Sequence, residues 1–269
     1  MNNASILAPV KAVFLDMDGT IYHGSKLYPT TMPFLEFLKA HDIKYTFCTN
    51  NSSRSKSDYV KHLAKFGLTV TEDDFYTSVD FLIDVLREEY PAVKKLFVLG
   101  VPSMQQELAE NGFEIVDENP DANIVSFDKT LTYERLCRAA WFLQSGVLSF
   151  STHPDVFCPT DQPTVLVDSG AISRCVEIAC GDQHKLIQLG KPHGGFLQHA
   201  AARLGLKPQE TLMAGDRLAT DIASGVNAGT LTCRITGEGA DLASYADVTP
   251  TYTCDNLGEL QAIWQELYK

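Results

Sequence analysis

The chain has 269 residues, room for one large or two moderate domains, and at 45% hydrophobic and 21% charged it can bury a sizeable core. A formal charge of −12 argues against nonspecific binding to nucleic acid or to an acidic membrane surface, so neither partner is expected. The 7 cysteines are odd in number and include no Cys-x-x-Cys, which argues against a disulfide framework or zinc cluster and makes a reducing, cytoplasmic setting the default.

Taken in order, Met1 to Pro9 show no basic patch followed by an apolar core, so no secretory signal is expected, and no apolar run approaches membrane-spanning length. Ala12 to Leu15 reads as a buried strand. It ends in Asp16-Met17-Asp18-Gly19-Thr20, two carboxylates one residue apart followed by a turn. Carboxylates that close repel each other unless a cation or a proton separates them. Tyr28 to Ala40 reads as a helix, Ile43 to Thr49 as a strand, and Lys56 to Phe66 as a helix closed by Gly67. Asp80 to Tyr90 is a further helix, stopped by Pro91. A second βα series runs through Lys95–Leu99, Ser103–Glu110, Asn123–Phe127, Tyr133–Leu143 and Val147–Ser151. Val156 to Gln162 looks irregular, and Ile172 to Ala179 reads as a helix. Leu186 to Leu189 leads into Gly190-Lys191-Pro192, with a helix from Phe196 to Leu204. Thr211 to Ala214 is a strand running into Gly215-Asp216-Arg217-Leu218-Ala219-Thr220-Asp221. Strands at Leu231–Ile235 and around Val248, and an amphipathic helix from Leu257 to Leu267, complete the pattern. This alternation implies parallel sheet built by right-handed crossovers.

The polar residues fall at strand ends or helix starts: Asp16 and Asp18, Thr49, Lys191, and Asp216 with Asp221. In a parallel sheet such ends converge on one crevice. Together they supply oxygen ligands for a metal, donors for phosphate oxygens and an in-line nucleophile, the parts that phosphoryl transfer requires. Asp16 and Thr49 are 33 positions apart, enough for one helix and one strand; Thr49 and Lys191 are 142 apart, so an insertion of roughly a hundred residues must lie between them. The expected organisation is a discontinuous core domain, 1–82 and 184–269, with a smaller α/β domain at 83–183.

On Asp16-Met17-Asp18-Gly19-Thr20, Thr49-Asn50-Asn51-Ser52, Gly190-Lys191-Pro192 and Gly215-Asp216-Arg217-x-x-Thr220-Asp221, in that order, the sequence resembles the haloacid dehalogenase superfamily, and within it the NagD-like, 4-nitrophenylphosphatase-like branch. The resemblance implies a Rossmann-like parallel-sheet core with an inserted α/β cap that closes over the crevice. It implies a Mg²⁺-dependent phosphatase for a small-molecule phosphate ester of the nucleotide, sugar phosphate or pyridoxal phosphate class. Asp16 would be the nucleophile that forms an aspartyl-phosphate, and Asp18 the general acid and base. Thr49 and Asn50 would hold phosphate oxygens, and Lys191 would offset the charge shared by Asp16 and phosphate. Asp16, Asp216 and the backbone carbonyl of Asp18 would hold Mg²⁺, with Asp221 supporting the metal water or Lys191. Gly19 and Thr20 shape the catalytic turn. Asn51, Ser52, Ser53 and Arg54 either shape the entrance or cap the helix that follows. In the cap, Thr152-His153-Pro154-Asp155 stands where relatives often carry Thr-Asn-Pro-Asp, so His153, Pro154 and Asp155 are the expected specificity residues, the alternative being an ordinary turn. The resemblance also implies a homodimer through the cap, although no seam is legible.

Two other readings use the same residues. A phosphotransferase or mutase would share the aspartyl-phosphate, but mutases of this superfamily usually place a helical cap between the first two motifs, where 33 positions leave no room. A phospho-acceptor or binding protein would need no general acid two residues after its nucleophile, which makes Asp18 the discriminating residue.

Overall fold

The computed structural model describes every residue except 1–3, 161, 182, 238–239 and 241–245. Its chain divides into two units: Met1–Thr49, Val60–Tyr76 and Lys191–Lys269 in the first, Asn50–Tyr59 and Thr77–Gly190 in the second. Along the chain come β1 (Ala12–Leu15), a hairpin of β2 (Tyr22–His23) and β3 (Lys26–Leu27), α1 (Thr31–Ala40), β4 (Lys44–Thr49), α2 (Lys56–Ala64) and β5 (Phe75–Thr77). Next are α3 (Ser78–Glu89), β6 (Lys95–Leu99), α4 (Pro102–Glu110), β7 (Glu114–Ile115), β8 (Ala122–Val125), α5 (Tyr133–Gln144) and β9 (Leu148–Ser151). β10 (Phe157–Cys158), β11 (Leu166–Val167), α6 (Ser169–Cys180), β12 (Ile187–Gln188) and α7 (Gly194–Arg203) follow. The chain finishes with β13 (Thr211–Gly215), a π-helical turn at Leu218–Ile222, α8 (Ala223–Ala228), β14 (Leu231–Ile235), β15 (Tyr252–Cys254) and α9 (Leu257–Gln265).

In the first unit the sheet order is β15-β14-β13-β1-β4-β5. β1 runs parallel to both β4 and β13, and β14 and β15 continue the parallel run. All four residues of β1 are buried, as in a strand covered on both faces. Register then fixes where chemistry can sit. Leu15 lies opposite Phe47 of β4 and Ala214 of β13. The next residues, Asp16, Cys48 and Gly215, therefore reach the same edge of the sheet.

The second unit has its own parallel sheet, ordered β12-β9-β8-β6-β7. α5 and α6 pack on it through Ala139, Leu143, Ile172 and Val176 against Phe97, Leu99 and Val125. This is the α/β architecture with parallel sheets that the alternation implies.

Several boundaries differ from the sequence-based ones for local reasons. α3 begins at Ser78 rather than Asp80, because Thr77 accepts from the Asp80 amide while the Asp80 carboxylate takes the Thr77 amide. α3 thus runs unbroken across 82/83, and the second unit also takes in 50–59. α6 begins at Ser169, capped by Asp168, rather than at Ile172. The segment 156–162, expected to be irregular, contributes β10 to an antiparallel hairpin with β11; residue 161 lies outside the described residues. The last strand is Tyr252–Cys254 and not Val248. Pro250 cannot donate to a ladder, whereas Tyr252 and Cys254 alternate inward with Thr253 outward. No helix among the described residues is long and apolar enough to cross a membrane.

Candidate active site

Asp16 leaves the end of β1 with its amide bonded to the Ala214 carbonyl at 2.9 Å. Its carboxylate meets a lysine that arrives from 175 residues away. Lys191 is 2% exposed, and its Nζ donates to Asp16 Oδ1 at 2.7 Å, Asp221 Oδ1 at 2.6 Å and the Cys48 carbonyl at 2.9 Å. An ammonium has three protons, and all three are used. Burial alone would lower the lysine's pKa; the carboxylates of Asp16 and Asp221 outweigh it and raise the pKa, keeping the group charged.

Asp16 shows the other side of the account. Burial, first, and then the charges of Asp221 and Asp216 push its carboxyl well above the ordinary range, while Lys191 works in the opposite direction. Three carboxylates therefore share one ammonium, and the surplus is negative. One oxygen from each of Asp16, Asp216 and Asp221 lies within 4.8 Å of the others. Hard oxygens gathered at this spacing fit a small divalent cation that keeps several waters. Within the three, Asp221 has other commitments: Oδ1 accepts Lys191 and Oδ2 accepts the Arg217 amide at 3.1 Å. Asp16 and Asp216 are thus the side chains best placed to hold an ion. Gly19, at φ +81, lets the turn pass beside Asp216, because a Cβ there would fall 2.3 Å from Asp216 Oδ2.

Asp18 is not one of the three carboxylates grouped by that spacing. A β-bridge joins it to Tyr22, the Gly19 amide bonds the Tyr22 carbonyl at 2.8 Å, and the Tyr22 hydroxyl approaches Asp18 Oδ2 at 3.4 Å. Tyr22 is itself buried against His62 and Phe66. Asp16 and Asp18 are therefore unlike: one faces an ammonium and two carboxylates, the other a phenol. Thr20 and Thr49 are buried at the ends of their segments, Thr49 directly after the carbonyl that Lys191 uses.

The remaining candidates lie in the second unit. Asn50 Nδ2 donates to Asp155 Oδ2 at 2.9 Å, and Ser78 Oγ donates to the Asn50 carbonyl at 2.7 Å. Asn51 acts locally, its Oδ1 accepting both the amide and the hydroxyl of Ser53. His153 has no exposed surface, while Pro154 and Asp155 are half-buried. Sequence reasoning overlooked Tyr22 and the Cys48 carbonyl, and it read Ser52 only as an entrance or capping residue. An aromatic residue four after Asp18 was a readable signal; a backbone carbonyl leaves none.

Two family models match the chain, one described as haloacid dehalogenase-like hydrolase over residues 13–114 and one as HAD-hydrolase-like over 188–260. A 5'-nucleotidase, YutF, of Bacillus subtilis is 32% identical over 220 residues, 81% of this chain and 84% of that protein. The chain belongs to the haloacid dehalogenase-like hydrolases. An acid sugar phosphatase of Staphylococcus aureus is 30% identical over 252 residues, 93% of this hydrolase and 96% of the relative. The crystal structure of a 4-nitrophenylphosphatase from Thermotoga maritima superposes with a TM-score of 0.89 at 36% identity, covering 97% of this chain and 99% of that one. NagD from E. coli K-12 gives 0.83 at 27% identity, covering 93% and 98%. Within its family the hydrolase is therefore a NagD-like enzyme.

Proposed function

We propose that this hydrolase removes the phosphoryl group from a small phosphomonoester, of the nucleotide, sugar phosphate or pyridoxal phosphate class, through an aspartyl-phosphate on Asp16. The first unit is the catalytic core in this reading, and the second is a cap that selects the leaving group. The relatives named as a nucleotidase and an acid sugar phosphatase support the first two substrate classes.

In the first step a carboxylate oxygen of Asp16 attacks phosphorus, the bond to the leaving oxygen breaks, and Asp18 gives that oxygen its proton. In the second, Asp18 as carboxylate takes a proton from water. That water attacks the phosphorus, the phosphorus–Asp16 oxygen bond breaks, and inorganic phosphate leaves. Thr49 and the amide of Asn50 bind phosphate oxygens. Lys191 stays charged and keeps Asp16 aimed. Asp16, Asp216 and the Asp18 carbonyl would hold Mg²⁺, which when bound neutralises the repulsion between carboxylate and phosphate.

The observation that carries the reading is the placement of Lys191 Nζ, 2.7 Å from Asp16 Oδ1 and 2.6 Å from Asp221 Oδ1, in a carboxylate group that still has surplus negative charge. The test is release of inorganic phosphate from 4-nitrophenyl phosphate, nucleoside monophosphates, sugar phosphates and pyridoxal phosphate, with Mg²⁺ and with EDTA. Turnover should need Mg²⁺ and fall by on the order of a thousandfold or more in Asp16→Asn. No turnover on the whole panel by folded protein would contradict the proposal.

A further inference from the structure

The second unit buries an imidazole among carboxylates and hydroxyls. His153 Nδ1 lies 3.1 Å from Asp155 Oδ2, and an ionised carboxylate only accepts, so Nδ1 carries a proton. The same Asp155 oxygen accepts from Asn50 Nδ2. On the other side of the ring, Nε2 lies 3.2 Å from Ser52 Oγ and 3.5 Å from Asp168 Oδ1. One ring thus reaches Asn50 through Asp155 and Ser52 directly. With Ser78 on the Asn50 carbonyl, the turn that follows Thr49 is held at three points.

Asp155, His153 and Ser52 make contact in the order of an acyl-transfer triad. Burial argues against that chemistry. Ser52 is 1% exposed, and its Oγ also lies 2.6 Å from Ser126 Oγ and accepts the Phe127 amide. No substrate carbonyl has access to it. What such an arrangement can deliver is position. The surroundings leave little slack: a Cβ on Gly190 would fall 2.6 Å from the Thr152 carbonyl, 2.8 Å from Asn50 Oδ1 and 2.9 Å from His153 Cβ.

We infer that His153 is a positioning residue for phosphoryl transfer: its ring fixes the turn Asn50–Ser52, and with it the amide next to Thr49, alike for every substrate, and it does not read the leaving group. This rests on the phosphatase reading above. A misplacement of about 1 Å at a binding group can reduce rates on the order of a hundredfold, so the expected effect is large for a residue that touches no substrate.

The test uses the intact protein and the variants His153→Ala, His153→Asn and His153→Gln. The amide nitrogen of Asn overlays Nδ1 and recovers the arm to Asp155; that of Gln overlays Nε2 and recovers the arm to Ser52. kcat and KM are measured for 4-nitrophenyl phosphate and a nucleoside monophosphate, with the inhibition constant of inorganic phosphate and thermal unfolding alongside. His153→Ala should lower kcat/KM on the order of tenfold to a hundredfold, by the same factor for both substrates, with phosphate inhibition weakening in parallel. Asn and Gln should each restore part of the loss, and this comparison stands even where the Ala variant fails to fold. Factors that differ between the two leaving groups, or lower stability with unchanged kinetics, would overturn the inference. Absence of turnover in the wild-type protein would overturn the phosphatase reading instead.

Discussion

Lys191 in the first unit and His153 in the second are both buried, yet they keep different company. Lys191 sits among carboxylates that its single charge does not balance, with Asp16, Asp216 and Asp221 gathered at one strand edge. His153 opens a chain of hydroxyls that satisfy one another: Ser52 to Ser126 at 2.6 Å, Ser126 to Thr152 at 3.0 Å, Thr152 to Ser169 at 3.4 Å, Ser169 to Ser151 at 3.3 Å and Ser151 to Ser173 at 2.8 Å. The carboxylates outnumber the ammonium, which suits the cation and the phosphate that the proposed reaction would bring there. The hydroxyl chain is closer to complete, which suits a group that holds shape.

That contrast can be broken most directly at Lys191. Lys191→Met removes the ammonium and leaves Asp16 and Asp221 facing each other under cover. Unfolding in urea should show a loss of about 3 kcal/mol, in the range for breaking a buried ion pair. kcat/KM should fall on the order of a hundredfold or more, as for removal of a preorganised charge. A stable and active variant would mean that the ammonium neither balances the carboxylates nor serves the reaction. Ser173→Ala, at the far end of the hydroxyl chain, sharpens the other half. It should lower stability by about 1 kcal/mol in the same titration and leave kcat/KM unchanged. A kinetic effect there would show that the chain does more than hold shape.

The first-unit residues were legible because strand ends are where a buried apolar run meets polar residues, and Asp16, Asp18, Thr49 and Asp216 each end such a run. Lys191 is harder to see, since it is separated from Asp16 by most of the chain and only sheet topology brings them together. The second-unit network was not legible. Ser126 and Ser151 fall in predicted strands and Ser52 in a motif after one, but that their hydroxyls meet depends on how two distant segments, 50–59 and 77–190, combine. The start of α3 and the final strand moved for local reasons, a reciprocal cap at Thr77 and a proline at 250, that hydrophobic pattern alone does not weigh. The hairpin of β10 and β11 was hidden because Pro159 and Pro163 flank its turn.

In the proposed reaction Asp16 and Asp18 divide the work, one taking the phosphoryl group and the other moving the proton. Asp18→Asn mixed rapidly with 4-nitrophenyl phosphate tests it, because nitrophenolate leaves without needing a proton while the second step still needs a base. The variant should give a burst of about one nitrophenolate per enzyme followed by a stall, with a phosphoryl group found by mass spectrometry on the peptide containing Asp16. Steady turnover at the wild-type rate, or a burst with no adduct at Asp16, would contradict it.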